Sequence, residues 1–143
     1  MSYHEFLEAK SQLATSDGFE PLWVPSFLYD FQAELTSWSV AMGRSAVFAD
    51  CGMGKTAIQL VWAENVVRHT NRPVLVLTPL AVSGQTLREA ERFGVDARRA
   101  SSDNSAPAVY VTNYEKLHHY QPDDFAGLVC DESGRAIGEL IVS

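Results

Sequence analysis

The sequence contains few of the residues that hold a metal-bound or disulfide-bonded fold together. Its 143 residues include two cysteines and four histidines, and these are not spaced as ligand pairs. We therefore expect no structural metal site. The cysteines are Cys51 and Cys130, and a reducing compartment would keep both as thiols.

Basic residues and long apolar runs are also scarce. The chain has 11 Lys and Arg residues and 18 Asp and Glu residues, which gives a net charge of −7. Such an acidic surface repels a phosphate backbone at long range, so any contact with nucleic acid must be local. No apolar run has the length of a membrane span, and the first residues, with Glu5 among them, lack the cationic start of a secretory leader. We expect a cytoplasmic protein with no membrane contact.

What the chain does contain is a phosphate-binding loop. The segment Ala49 to Thr56 follows the apolar stretch 45–48 and has glycines where the main chain must approach phosphate oxygens. The lysine would reach the β- and γ-phosphates, and the threonine hydroxyl would bind the Mg²⁺ that bridges them. Alanine replaces the first glycine of the strict pattern, as in the helicase-type variant. The predicted nucleotide contacts are Gly52, Met53, Gly54, Lys55 and Thr56.

A second motif lies downstream of the loop. The apolar stretch 125–130 predicts a short buried strand, and it leads directly into Asp131 and Glu132. In nucleotide-hydrolysing α/β domains an aspartate at such a strand end holds Mg²⁺, and the adjacent glutamate activates the attacking water. We therefore predict Asp131 as a metal ligand, and Lys55 and Glu132 as catalytic residues.

Strands and helices alternate along the chain after the first residues. Hydrophobic periodicity predicts helices near 2–16, 30–43, 55–69, 82–93 and 114–120, and strands at 45–48, 73–78, 109–112 and 127–130. The face of the second helix is predicted to consist of Phe31, Leu35, Trp38 and Met42. The pattern indicates a three-layer α/β fold with a mostly parallel sheet, in which ligands bind at the carboxyl ends of the strands.

Four stretches in this order carry a family resemblance: 28–32, 49–56, 76–79 together with Gln85, and 111–115 before 131–133. They resemble the first RecA-like lobe of superfamily 2 helicases, and most closely the Swi/Snf-like branch found in phage and prophage DEAD/DEAH-type helicases. The resemblance spans most of residues 1–133. It implies a P-loop NTPase fold with ATP and Mg²⁺ as cofactors and nucleic acid, DNA rather than RNA, as a partner.

The resemblance also implies roles for three further residues. Gln32 corresponds to the glutamine that binds the adenine edge, and Thr78 and Thr112 to residues that contact the sugar-phosphate backbone of a nucleic acid strand. The alternatives are structural: Gln32 could be an exposed helix residue, and Thr78 could simply end a strand.

The chain departs from the family after Ser133. The resemblance divides it into an N-terminal helix with a proline-containing extension (1–27), a partial RecA-like lobe (28–133) and an atypical tail (134–143). In the family a further strand lies between the phosphate-loop strand and the acidic-motif strand, and a second lobe follows. We expect 139–142 either to fill that slot or to leave the lobe partly open. The tail also indicates a truncated or frameshifted reading frame.

A missing second lobe would remove the arginine that stabilises the γ-phosphate during hydrolysis. In comparable enzymes that arginine contributes on the order of 10³ to 10⁵ in rate, so we expect weak or absent hydrolysis by this chain alone. Two other functions remain open. One is a non-enzymatic nucleotide-binding lobe, or one that needs a second lobe supplied by another chain or a longer product. The other is a small P-loop kinase, for which the expected arginine-rich lid is not apparent.

Overall fold

The computed structural model describes residues 18–42, 44–48, 55–132 and 135–140. The helix predicted for 2–16 lies outside this range. The described helices are α1 (Asp30–Met42), α2 (Lys55–Thr70) and α3 (Leu80–Phe93), with 3₁₀ helices at Tyr114–His119 and Pro122–Asp124. The strands are β1 (Arg44–Phe48), β2 (Val74–Thr78), β3 (Ala97–Arg99), β4 (Val109–Asn113), β5 (Gly127–Glu132) and β6 (Arg135–Leu140).

Six described strands form one sheet in the order β1-β6-β5-β2-β4-β3. Strands β5, β2, β4 and β3 are mutually parallel, whereas β6 is antiparallel to both of its neighbours. Because β1 and β5 both oppose β6, they run in the same direction as the rest. The prediction of an α/β fold with a mostly parallel sheet is therefore confirmed.

Strand β6 occupies the slot between the phosphate-loop strand and the acidic-motif strand. It follows β5 after only two residues, and Glu132 is paired with Arg135. A connection this short permits only an antiparallel hairpin, because a parallel neighbour needs a long crossover. Glu139 and Leu140 of the predicted slot-filling segment lie in this strand, and 141–142 lie outside the described residues.

The two faces of the sheet are covered differently. Val74, Val76, Val109, Val111 and Val129 pack against residues of all three helices, including Leu60 and Ala90. On the other face the strands pack against Leu117, Tyr120 and Phe125, which belong to or follow the 3₁₀ helix Tyr114–His119. This is the expected three-layer arrangement, with near-continuous apolar strands between the layers.

Helix α3 ends where the sequence predicts. Gly94 has φ +78°, in the left-handed region, and its N–H donates to the carbonyls of Ala90 and Glu91. A glycine adopts this conformation without a Cβ penalty, which closes the last turn of the helix. None of the helices that the structure describes has the length and apolar character required to cross a bilayer.

The face of α1 that apolar spacing predicts is only partly buried. Phe31 and Trp38 are 40% and 47% exposed, whereas Leu35 packs against Ile58 of α2. The buried positions of the helix are Gln32, Thr36, Ser39 and Val40. Apolar spacing therefore locates the helix but does not identify the polar residues that its packing buries.

Candidate functional site

The strands that carry the two nucleotide motifs end at the same level of the sheet. Arg135 is paired with Phe48 on one side and with Glu132 on the other. Neighbouring strands lie roughly 4.8 Å apart, so about 10 Å separates the last residues of β1 and β5. The segment that follows Phe48 therefore starts beside the acidic pair.

The frame around the phosphate loop has the expected form. Strand β1 ends at Phe48, and α2 begins at Lys55. The intervening residues, with Gly52, Met53 and Gly54 among them, lie outside the described residues, and of Lys55 only the backbone is described. Thr56 follows in the first turn of α2 and is half-buried. A strand, a short connection and a helix opening at the lysine are the context in which this motif binds phosphate.

Asp131 lies on the face of the sheet that carries α2. It is 7% exposed and shares its side of β5 with Val129, which packs in the cluster formed with the helices. The Tyr114 hydroxyl donates a hydrogen bond of 2.9 Å to the main-chain carbonyl of Asp131. The acidic pair therefore occupies the last two positions of β5, not the residues after the strand as predicted. Tyr114, from the 3₁₀ helix that follows β4, binds the main chain at Asp131.

Gln32 is buried at 6% exposure, so the alternative of an exposed helix residue is wrong. Its Oε1 accepts a hydrogen bond of 2.9 Å from the Tyr29 N–H, which caps the first turn of α1. The residues on either side of it connect this turn to the phosphate-loop helix, because Leu28 and Ala33 pack with Ala57. Gln32 is thus near the start of α2, and an adenine contact would have to coexist with the capping bond or replace it.

Thr78 ends β2 and is completely buried. Its Oγ1 lies 2.6 Å from Ser83 Oγ and donates to the Pro79 carbonyl at 3.1 Å. These bonds tie the end of β2 to the first turn of α3. The Thr78 hydroxyl already forms hydrogen bonds within the protein. It could contact a nucleic acid strand directly only if these bonds were broken.

Thr112 lies near the same edge, and it is 5% exposed. It is paired with Leu77, and the next residue, Asn113, is paired with Thr78. The ends of β1, β5, β2 and β4 therefore bring together the phosphate-loop strand, the acidic pair and both threonines. The first turn of α3 also lies at this edge. Its N-cap residue is Pro79, whose side chain makes no capping hydrogen bond.

Two features near the site were missed from the sequence. Tyr114 could have been suspected only from its position directly after β4. Gln59 lies one turn after Lys55 and is 2% exposed. Neither of its amide atoms has a hydrogen-bond partner among the described residues. In the described chain the other buried side-chain atoms without partners belong to Thr36, Ser39 and Trp62, again on α1 and α2. Unpaired polar groups are therefore concentrated where these two helices meet.

No group of three or more His, Cys, Asp or Glu side chains that could hold a metal ion occurs in the described ranges. A Mg²⁺ ion bound with a nucleotide does not need one, because phosphates, water and one or two protein oxygens complete its shell. Asp131 and Thr56 are oxygen donors of the required kind. Cys130 is a buried cysteine at the end of the apolar part of β5.

Comparison with known protein families and with curated proteins gives no match. The functional interpretation therefore depends on the motifs and on the geometry of the carboxyl edge.

Proposed function

We propose that this chain is the ATP- and Mg²⁺-binding lobe of a nucleic-acid-dependent ATPase of the helicase and translocase type. One observation carries the proposal: β1 and β5 end level and close together, at the edge where α2 opens with Lys55. In a parallel α/β sheet, ligands bind outside the carboxyl ends of the strands. Two motifs that are far apart in sequence thus flank one place where a triphosphate can bind.

The residues at this edge have complementary roles. Lys55 neutralises the β- and γ-phosphates, and the amides of 52–56 surround them. Thr56 and Asp131 hold the metal, which when bound neutralises charge that develops on the phosphates. Glu132 accepts a proton from the attacking water. The burial of Asp131 on the α2 side supports its assignment, because a carboxylate there is held toward the helix that binds the phosphates.

Gln32 is proposed to bind the adenine edge. Support comes from its placement in the first turn of α1, where Leu28 and Ala33 pack with Ala57 two residues after Lys55. A base bound there would lie next to its own triphosphate. The capping bond to Tyr29 holds the side chain in a single orientation, which lowers the entropy cost of that contact.

Nucleic acid, DNA rather than RNA, is proposed to cross the same edge near Thr78 and Thr112. Because the Thr78 hydroxyl is bound to Ser83, its role is to position the first turn of α3. The N–H groups of Leu80 and Ala81, two exposed residues of that turn, would then form the contact to phosphate. Such contacts position a strand without reading its sequence.

We expect the 143-residue chain to bind ATP and to hydrolyse it slowly, in the cytoplasm of a bacterial cell. In related hydrolases an arginine from another element stabilises the transition state and contributes on the order of 10³ to 10⁵ in rate. A second RecA-like lobe, from another chain or a longer product, would supply it. Rapid DNA-stimulated turnover by the chain alone would contradict this part of the proposal.

The nucleotide site is tested by titrating a fluorescent ATP analogue with Mg²⁺ against Lys55→Ala and Lys116→Ala. Both variants remove one lysine, but Lys116 lies after β4, on the 3₁₀ helix. We expect Lys55→Ala to weaken binding at least about tenfold, since it removes charge-assisted hydrogen bonds to phosphate, and Lys116→Ala to leave it unchanged. Equal affinity of wild type and Lys55→Ala, with both folded by circular dichroism, would refute the proposal.

A second candidate function is a nucleotide-dependent binding protein without turnover. It is favoured by β6, which pairs with both β1 and β5 and so closes the sheet between the two motifs. ATPase assays with and without single-stranded DNA separate the candidates. Saturable ATP binding without hydrolysis under any condition would support the second.

A further inference from the structure

A cavity of about 920 Å³ lies away from the nucleotide edge. It opens where β2 and β5 begin, since Pro73 and Phe125 line it and precede these strands. Its apolar wall includes Tyr120 and Phe125, which belong to the cluster on the face opposite α1, α2 and α3. A five-residue strand is roughly 16 Å long, so about one strand length separates the cavity from the carboxyl edge of the sheet.

Three basic side chains line this cavity from two elements. Lys116 and His119 are three residues apart in a 3₁₀ helix, so they project from the same side of it. Arg72 lines the cavity from the turn between α2 and β2, and its Nη2 donates a hydrogen bond of 2.8 Å to the Asp123 carbonyl. That bond holds the guanidinium in place, which reduces the entropy cost of binding a ligand.

The remaining wall is a polar loop that is already folded by its own hydrogen bonds. The Ser101 N–H donates a hydrogen bond to Asn104 Oδ1 at 2.8 Å, and Asn104 Nδ2 donates one to the Ser101 carbonyl, also at 2.8 Å. The Ser105 hydroxyl and N–H both donate to Asp103 Oδ1, so this carboxylate is engaged within the loop. Hydroxyl and amide groups thus line a preformed rim.

We propose that this cavity binds a small phosphomonoester such as a nucleoside monophosphate. Arg72 and Lys116 would hold the phosphate, the guanidinium through paired hydrogen bonds. The serine and asparagine groups of the rim would bind sugar hydroxyls, and Tyr120 and Phe125 would provide the apolar floor. The volume falls within the range of small-molecule sites.

The charge of the lining selects a monophosphate over larger anions. Two acids, Asp103 and Asp124, line the cavity together with Arg72 and Lys116, so its formal charge is balanced when His119 is neutral. A triphosphate would add more negative charge to this balanced lining than a monophosphate does, so it would bind there less favourably.

The proposal is tested by isothermal titration calorimetry with 5′-AMP, inorganic phosphate and uncharged adenosine. We expect AMP to bind wild type and Lys55→Ala alike, which places it outside the phosphate loop. Arg72→Ala and Lys116→Ala should each weaken AMP at least about tenfold, since each removes a charge-assisted hydrogen bond. Arg98→Ala is the matched control, because Arg98 is an exposed cation on β3 that forms an ion pair with Asp96 and does not line the cavity; this variant should leave AMP affinity unchanged.

Three results would overturn the proposal. The first is that AMP does not bind the folded wild type at millimolar concentration. The second is that AMP binding is lost in Lys55→Ala alone, and the third is that adenosine binds as tightly as AMP. Binding of a single-stranded oligonucleotide, but not AMP, that depends on Lys116 would assign the surface to a strand instead. Lys116 is exposed, so its variant tests the site even if Arg72→Ala unfolds.

Discussion

At the scale of single residues, Asn65 connects the segment before α1 to the phosphate-loop helix. Its Oδ1 accepts hydrogen bonds from the N–H groups of Leu22 and Trp23, at 2.7 and 2.9 Å. Its Nδ2 donates to the carbonyls of Trp23 and Val61, both at 2.8 Å. The side chain is fully buried, so all of its hydrogen bonds are made inside the protein.

We predict that Asn65→Ala lowers the free energy of unfolding by about 3 kcal/mol, because it removes four hydrogen bonds to main-chain groups that are partly or fully buried. Urea denaturation measures the effect. Gln85→Ala, at an exposed position of α3, is the control and should change the free energy by less than about 0.5 kcal/mol. A loss for Asn65→Ala no larger than that of the control would show that these bonds contribute nothing.

Asp103 gives a prediction about pH. Hydrogen bonds from Ser105 hold the pKa of the Asp103 carboxyl below its usual value of 3.8. Because the folded-state pKa is lowered, these bonds stabilise the loop at pH above the unfolded value, and the stabilisation is lost as pH falls through the folded-state pKa. Ser105→Ala should therefore raise the pKa of Asp103 in a carboxyl NMR titration. Ser102→Ala, in the same loop, is the control; equal titration curves for all three proteins would contradict the assignment.

At the scale of elements, the sequence predicts most helices and strands in the described ranges. Strand β3 was missed because Ala97–Arg99 is short, and its burial is partial at most, so it has no apolar pattern. Helix α1 was located correctly, but its apolar spacing did not indicate that Thr36 and Ser39 are buried while Trp38 is 47% exposed. Hydrophobic periodicity depends on the local sequence alone. The pairing of β3 and the burial of polar residues in α1 depend on contacts with other elements of the fold, so periodicity does not predict them.

Strand β6 gives the test at this scale. It pairs with β1 and β5 on its two sides, so we predict slow amide hydrogen exchange across Arg135–Leu140. Strand β3 lies at the edge of the sheet and should exchange faster, which makes it the internal reference. Mass spectrometry of deuterated peptides measures both. Exchange of β6 as fast as that of β3 would show that the slot between the two motifs is open.

The candidate site was predictable in part. The sequence predicts the acidic pair and the position of Lys55 at the start of a helix. In both cases the residues of the motif adjoin a strand or helix that the hydrophobic pattern also predicts. The burial of the Thr78 hydroxyl against Ser83 does not, since it depends on how α3 starts. The basic side chains around the distant cavity come from separate elements, so no sequence motif indicates them.

At the scale of the whole molecule, the two proposed sites occupy opposite ends of the strands. The phosphate loop and acidic pair belong to the carboxyl edge, and the cavity lined by Arg72 and Lys116 belongs to the amino end. Lys55→Ala and Lys116→Ala are therefore reciprocal: each should weaken the binding of one ligand and leave the affinity for the other unchanged. With a net charge of −7, neither site is assisted by a general attraction of anions to the surface.

The central claim is that the phosphate-loop helix and the acidic pair bind one metal–nucleotide complex. NMR spectra recorded with Mn²⁺ and ATP test it directly, because this paramagnetic ion can take the place of Mg²⁺ among oxygen ligands and broadens nearby amide signals. We predict that the signals of Lys55, Thr56, Asp131 and Glu132 broaden together, and that those of the loop 101–105 do not. Broadening at only one of the two motifs, or at neither, would contradict the account.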